Sequence, residues 1–260
     1  MTETRRLHRA LAAALALAAL AFGSVPTAAA EERAAVSRKR FVIVRTGKLA
    51  RQFPERRRAV VNLPVVGGIS DARVLRKVRA SLDLKNVFGT SLAEYRKDAW
   101  LEELDFKVNY NRNYILDITM WQTGTGAYPD TQSVHLVFNL KTGDVLQAAD
   151  VFRPAALSEL ARMADEKLRA EVNGLIQTVE EDKSADAEQR QSLKEDLSRL
   201  SFHVQHLNNF VVGDRGLTFL YDAGFPHVIQ ALEPDGRYFF TYAQLAPHIK
   251  RDGPLGRLVK

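Results

Sequence analysis

The chain has no cysteine among its 260 residues. That excludes a disulfide framework, thiolate catalysis and a lipid-modified N-terminal cysteine. It also has no spanning-length apolar run: the uncharged stretch Leu11 to Phe22 holds about a dozen residues, against roughly 18 to 25 for a membrane helix. Internal repeats, low-complexity tracts and long linkers are missing too. There is no Gly-x-Ser-x-Gly elbow and no His-Glu-x-x-His pair. Stability therefore has to come from burial and hydrogen bonding, and no catalytic motif announces itself.

What is present begins with a stretch that reads as an export signal. Arg5, Arg6 and Arg9 make a basic start, the Leu/Ala run follows, and Ala28-Ala29-Ala30 stands before Glu31-Glu32. This is the small-residue pattern that a signal peptidase cuts. Residues 1–30 are expected to be removed, leaving a protein with no membrane span in the periplasm or outside the cell. The residues after Arg5-Arg6 do not fit a twin-arginine signal, which favours the general secretory route. About 230 residues then remain, enough for one large or two small domains.

Charge is mild. The whole chain carries +6, and loss of the leader, with three Arg and one Glu, leaves about +4. Arg38-Lys39-Arg40, Arg56-Arg57-Arg58 and the set Arg73, Arg76, Lys77, Arg79 read as solvated surface. They are also suited to an anionic wall polymer, lipid headgroups or an acidic partner. Export argues against nucleic acid.

Phe41 to Val44 and Ala59 to Leu63 are β-branched runs expected as strands. Ser70 or Asp71 then caps a helix with Val74, Leu75, Val78 and Leu82 at helical spacing. Phe106, Val108 and Tyr110 alternate with polar neighbours, Asn111-Arg112-Asn113 makes the turn, and Tyr114 to Trp121 returns. A loop from Thr123 to Thr131 leads to a strand with Val134, Leu136 and Phe138, completing an antiparallel meander. Pro154 opens a helix to about Asp182 with a stripe of Leu157, Leu160, Ala164, Leu168, Val172, Leu175 and Val179. A more polar helix to about Leu200 follows, then strands at 210–212, 217–221 and 238–242.

The chemistry-bearing residues stay scattered at this level. His203 and His206 form the one close pair and read as structural or surface histidines. Ser133 and His135 share a strand face but have no orienting acid, so they read as sheet surface. Gly124 and Gly126 precede a strand rather than a helix, a poor phosphate cradle. The carboxylates of Glu166 to Glu195 read as helix surface, and Trp100 and Trp121 as core. Two aromatic, Pro-containing loops remain as binding candidates: Tyr128, Pro129, Asp130 and Thr131, and Tyr221, Asp222, Phe225 and His227. Aromatics on rigid turns bury area at low entropic cost. No catalytic, metal-ligating or cofactor-binding residue is assigned.

Five motifs stand in a recognisable order. They are Pro64-Val65-Val66-Gly67-Gly68, Gly124 to Asp130, Phe138 to Gly143, Asp150 to Pro154, and Leu217 to Tyr221 with Phe240 to Leu245. In this order the chain resembles the extracytoplasmic module shared by RsiV-type anti-sigma factors and PdaC-type peptidoglycan deacetylases, over residues 40–250. The resemblance implies an α+β fold of antiparallel sheets with packed helices. It implies two intimately associated lobes, 31–149 and 150–250, with a tail at 251–260. It further implies a non-catalytic binding or sensing module whose partner is an envelope glycan or a lysozyme-like protein. The competing class is a hydrolase acting on peptidoglycan or another envelope polysaccharide through carboxylates brought together by the fold.

Overall fold

In a computed structural model the described residues are 33–97, 101–125, 129–183 and 186–259. The predicted leader and Trp100 lie outside them. From Arg33 on, the chain forms one compact unit. It is an α+β fold built on two sheets.

The larger sheet has the order β1 (Ala35–Val44), β2 (Arg58–Gly67), β3 (Glu103–Arg112), β4 (Ile115–Thr125), β5 (Pro129–Asn139). A short helix α1 (Lys48–Gln52) lies in the β1–β2 connection. All its strand pairs are antiparallel except β2 with β3, which meet in parallel at Val60↔Glu103 and Val61↔Leu104. A parallel neighbour needs a crossover. Three helices supply it: α2 (Ala72–Ser81), α3 (Leu84–Phe88) and α4 (Leu92–Lys97). Asp71 caps α2 as the sequence predicts, its side chain accepting from the Arg73 and Val74 N–H groups.

These helices cover one face of the sheet. Val78, Leu82, Leu84, Phe88 and Tyr95 pack with Leu104, Phe106, Leu116, Ile118, Met120 and Phe138 in a single apolar cluster.

The β3–β4 hairpin departs from the expected layout in two places. Its turn is Asn113-Tyr114, both at positive φ (56° and 61°), so Asn111 and Arg112 are strand residues. Paired left-handed residues match the right-handed twist of the flanking strands, which a type I or II turn would splay. Between Val108 and Tyr110 the register also shifts. This bulge at Asn109 breaks the predicted alternation: Phe106 and Val108 join the helix-covered cluster, whereas Tyr110 joins the cluster on the opposite side.

After α5 (Ala148–Val151) and a single 3-10 turn at Pro154–Ala156 comes the long helix α6 (Leu157–Glu181), followed by α7 (Ala187–Ser198). The smaller antiparallel sheet is β6 (Phe210–Val212), β7 (Gly216–Leu220), β8 (Arg237–Thr241), and α8 (Tyr242–Leu245) leaves its last strand. The predicted stripe of α6 is buried at Leu160, Ala164, Leu168, Val172 and Val179. It packs with Phe210, Leu217, Phe219, Tyr238 and Phe240 of the smaller sheet, and with Tyr110, Ile115 and Val137 from the second face of the larger one. That second face is only partly covered.

Candidate ligand cleft

Where the second face of the larger sheet is not packed, its side chains turn polar. The registers Lys107↔Thr119, Thr119↔His135, Trp121↔Ser133 and Thr123↔Thr131 set these residues side by side on one face. Opposite them stand Asn209, Val211, Leu220 to Asp222 and Asp235 to Arg237 of the smaller sheet and its connections. The two walls enclose a half-open cleft of about 440 Å³. That lies within the size range of small-ligand pockets.

A buried polar ladder supports its floor. Asp117 has no exposed surface. One of its oxygens accepts from the Val212 N–H at 2.6 Å, tying β4 to β6, and the other accepts from Asn109 Nδ2 at 2.9 Å. The bulge is what aims this amide inward, and the same Nδ2 reaches Thr119 Oγ1 at 2.7 Å. Thr119 Oγ1 in turn lies 2.9 Å from His135 Nδ1. Burial pushes the Asp117 carboxyl up to about 7, against the pull of its Asn109 and Val212 hydrogen bonds. His135 moves the other way, to about 4, first because it is buried and second because Arg237 is near. Its imidazole is therefore neutral at pH 7, with one nitrogen a donor and the other an acceptor.

The second wall is set by backbone geometry at Gly236. This residue has φ +63° and its carbonyl accepts from the Tyr221 N–H at 2.8 Å. A Cβ there would come within 2.0 Å of the Tyr221 carbonyl oxygen, so only glycine lets the two segments approach. The Tyr221 ring is steadied by Phe202 and by His206, whose ring stands edge-on at 5.0 Å. Beyond it, the Gly224 N–H donates to Asp222 Oδ1 at 2.8 Å and to Glu233 Oε1 at 3.2 Å. Burial, and then the neighbouring Asp222, raise the Glu233 pKa.

The structure sorts the predicted site residues into three groups. Thr131, Tyr221 and Asp222, from the two predicted loops, line this one cleft. Asp130 and Pro129 belong to β5, because Thr123 to Thr125 and Pro129 to Thr131 pair as strands instead of forming the expected loop. Asp130 is exposed, and Tyr128 lies outside the described residues. Phe225 packs against the core around α6, where a ring gains more by burial than at the surface. His227 is exposed and opens a 3-10 helix, His227–Leu232.

Several cleft residues escape a reading by sequence. Trp121, expected in the core, is half-buried in the cleft wall. Ser133 and His135 do lie on the sheet surface as expected, Ser133 exposed, but that surface faces a second wall. The one signal for them is period-two polarity, Thr131, Ser133 and His135 against Thr119 and Trp121, which marks a sheet face turned away from apolar packing. His206 Nδ1 accepts from the His203 N–H at 2.8 Å, a structural contact as expected. Among the described residues no three His, Asp or Glu side chains gather to hold a metal.

No family model matches the chain, and no curated protein matches it. The fold does have solved relatives. It is similar to a DUF3298-family protein of Pseudomonas aeruginosa at TM-score 0.51 and 13% identity, over 84% of this chain and 94% of that one. A member of the same family from Bacteroides fragilis superposes at TM-score 0.55 and 13% identity, over 88% of this chain and 99% of that one.

Proposed function

We propose that the protein is an exported, non-catalytic binding module that takes a saccharide segment of the cell envelope into the cleft between its two sheets. The observation that carries this reading is the presence of Trp121 and Tyr221 in one cleft, with the hydroxyls of Thr131 and Ser133 and the amide of Asn209 among its lining. Sugars present apolar C–H faces and a rim of hydroxyls. Aromatic faces with short polar donors and acceptors complement both. The fold shared with DUF3298-family proteins supports the resemblance to the envelope-associated module drawn from the sequence motifs. Between the two partners implied by that resemblance, a polar concave site favours the glycan over a lysozyme-like protein.

A second reading has its own observation: Ser133, His135, Asp222 and Asp235 all line this cleft. Such a set suits hydrolysis of the same polymer, and a bound glycan would be its substrate.

Calorimetric titration with soluble peptidoglycan fragments tests the first reading. Trp121→Ala and Tyr221→Ala should each weaken binding by about 1 to 2 kcal/mol on correctly folded protein. Unchanged affinity in the double variant would remove the cleft as the site. Fragment shortening by the parent protein that disappears in Asp235→Asn would move the assignment to the hydrolase.

A further inference from the structure

Residues 33–58 carry ten Lys and Arg against the single acid Glu55, a net charge of +9 in a chain whose total is +6. The fold concentrates this charge at one edge of the larger sheet, because the segment is edge strand β1, the connection holding α1, and the first residue of β2. Part of it serves the structure itself. Arg38 pairs with Asp105, and Arg56 lies 3.9 Å from Glu102. Arg45 is buried and donates to the Arg56 carbonyl, while Arg57 Nε returns a bond to the Arg45 carbonyl at 3.1 Å. The far end of the hairpin is thereby locked. Lys39, Arg40, Lys48, Arg51, Arg57 and Arg58 are exposed and have no carboxylate partner among the described residues.

The register adds an apolar component. Val44 lies opposite Arg58, and Val42 opposite Val60, so Arg40, Val42, Val44 and Arg58 share one sheet face. Val42 and Val44 are 42% and 45% exposed on that face. Strand residues with high β propensity normally bury one face, and these two sit among cations in solvent. We propose that this edge is a docking surface for an anionic lipid bilayer, with the cations meeting headgroup phosphates and Val42 and Val44 entering the interface. A soluble phosphate polymer would account for the cations. It gives no role to the two valines, which is why the lipid surface is preferred. None of these residues lines the cleft, although Arg38 and Asn62 meet Asp105 on the same face of the sheet.

The test is co-sedimentation of the body from Arg33 to Lys260, which encloses both cores in one compact unit. Vesicles of phosphatidylcholine with phosphatidylglycerol are compared with phosphatidylcholine alone. The protein should bind only the anionic vesicles and leave them at about 1 M salt, where the Debye length is about 3 Å. Neutralising Arg40, Arg51 and Arg58 together to Gln should weaken partitioning on the order of a hundredfold. The same change at Arg153, Arg215 and Arg251, exposed residues outside the segment, should leave it intact. Val42→Ser with Val44→Ser should weaken it several-fold while leaving its salt dependence unchanged. Equal binding to neutral vesicles, or a triple variant that binds like the parent, would overturn the proposal. So would valine variants that bind like the parent while polyphosphate strips the protein from vesicles, an outcome that points to a phosphate polymer.

Discussion

Strand β4 presents two different faces to its neighbours. On one, Leu116, Ile118 and Met120 are completely buried beneath the crossover helices. On the other, Ile115, Asp117, Thr119 and Trp121 pass in four alternate residues from core, through a buried carboxyl, to an open cleft. The backbone, register and sheet are the same, so the difference lies in what each face meets. A face closed by helices is given over to stability. A face shared between a second sheet and solvent has room for recognition, and its polar groups hold the two sheets together.

The sharpest way to break this contrast is on the closed face. Ile118→Ala should cost about 2 to 5 kcal/mol in urea unfolding, because it leaves a cavity in a packed cluster. Glycan affinity of the folded fraction should not move. A loss below about 1 kcal/mol would mean that the helices collapse onto the gap and that this face is not rigid.

The open face should reveal itself through pH. Asp117 sits at about 7 instead of 3.8, so between those values the folded protein keeps a proton that the unfolded chain has released. Its contribution to stability therefore declines as pH rises through that window. His135 sits at about 4 instead of 6.5, so there the unfolded chain takes up a proton that the folded protein refuses. Its contribution declines as pH falls. Over the shared window the two slopes oppose each other. Asp117→Asn should make the protein lose stability, relative to the parent, as pH drops from about 6.5 to about 4, and His135→Asn should do the reverse. Urea midpoints at pH 4.5 and pH 7 would show it; parallel shifts in both variants would mean that neither group titrates as described.

The smallest effect is expected at the cleft rim. Ser133→Ala removes an exposed hydroxyl and should change stability by no more than about 0.5 kcal/mol. If the cleft only binds, neither the parent nor the variant should turn glycan over. A variant that abolishes turnover would bring the two faces of β4 into a sharper contrast, between scaffold and catalyst.

Much of the scaffold is legible in the sequence, because it is dictated locally. Asp71 announces the start of α2, the Leu/Val stripe announces α6, and alternation announces β3 to β5 with the strands near 217 and 238. What escapes is set by partners distant in sequence. Nothing around Asn109 marks it as the extra residue of a bulge, since its reward is a hydrogen bond to Asp117 that exists only once β4 is in place. Trp121 reads as core because its size suits a core, and its half-exposed position depends on where β6 to β8 stop. Of the two candidate loops, Thr131, Tyr221 and Asp222 line the cleft; Phe225, half-buried like Tyr221, packs against the core without lining it. Aromatic composition does not tell which ring will line a cleft; the surrounding fold decides it.

The parallel seam between β2 and β3 bears on the order of assembly. Strands β3, β4 and β5 pair in sequence order, and β1 pairs with β2, so each group closes by local encounters. Joining the groups requires the whole segment 68–102 to close as a loop, for a ladder with two paired positions among the described residues. Loop closure costs entropy before distant contacts repay it, and such steps are slow. The β1–β2 hairpin is thus expected to seat late on the rest of the sheet, with its positive charge arriving as one piece.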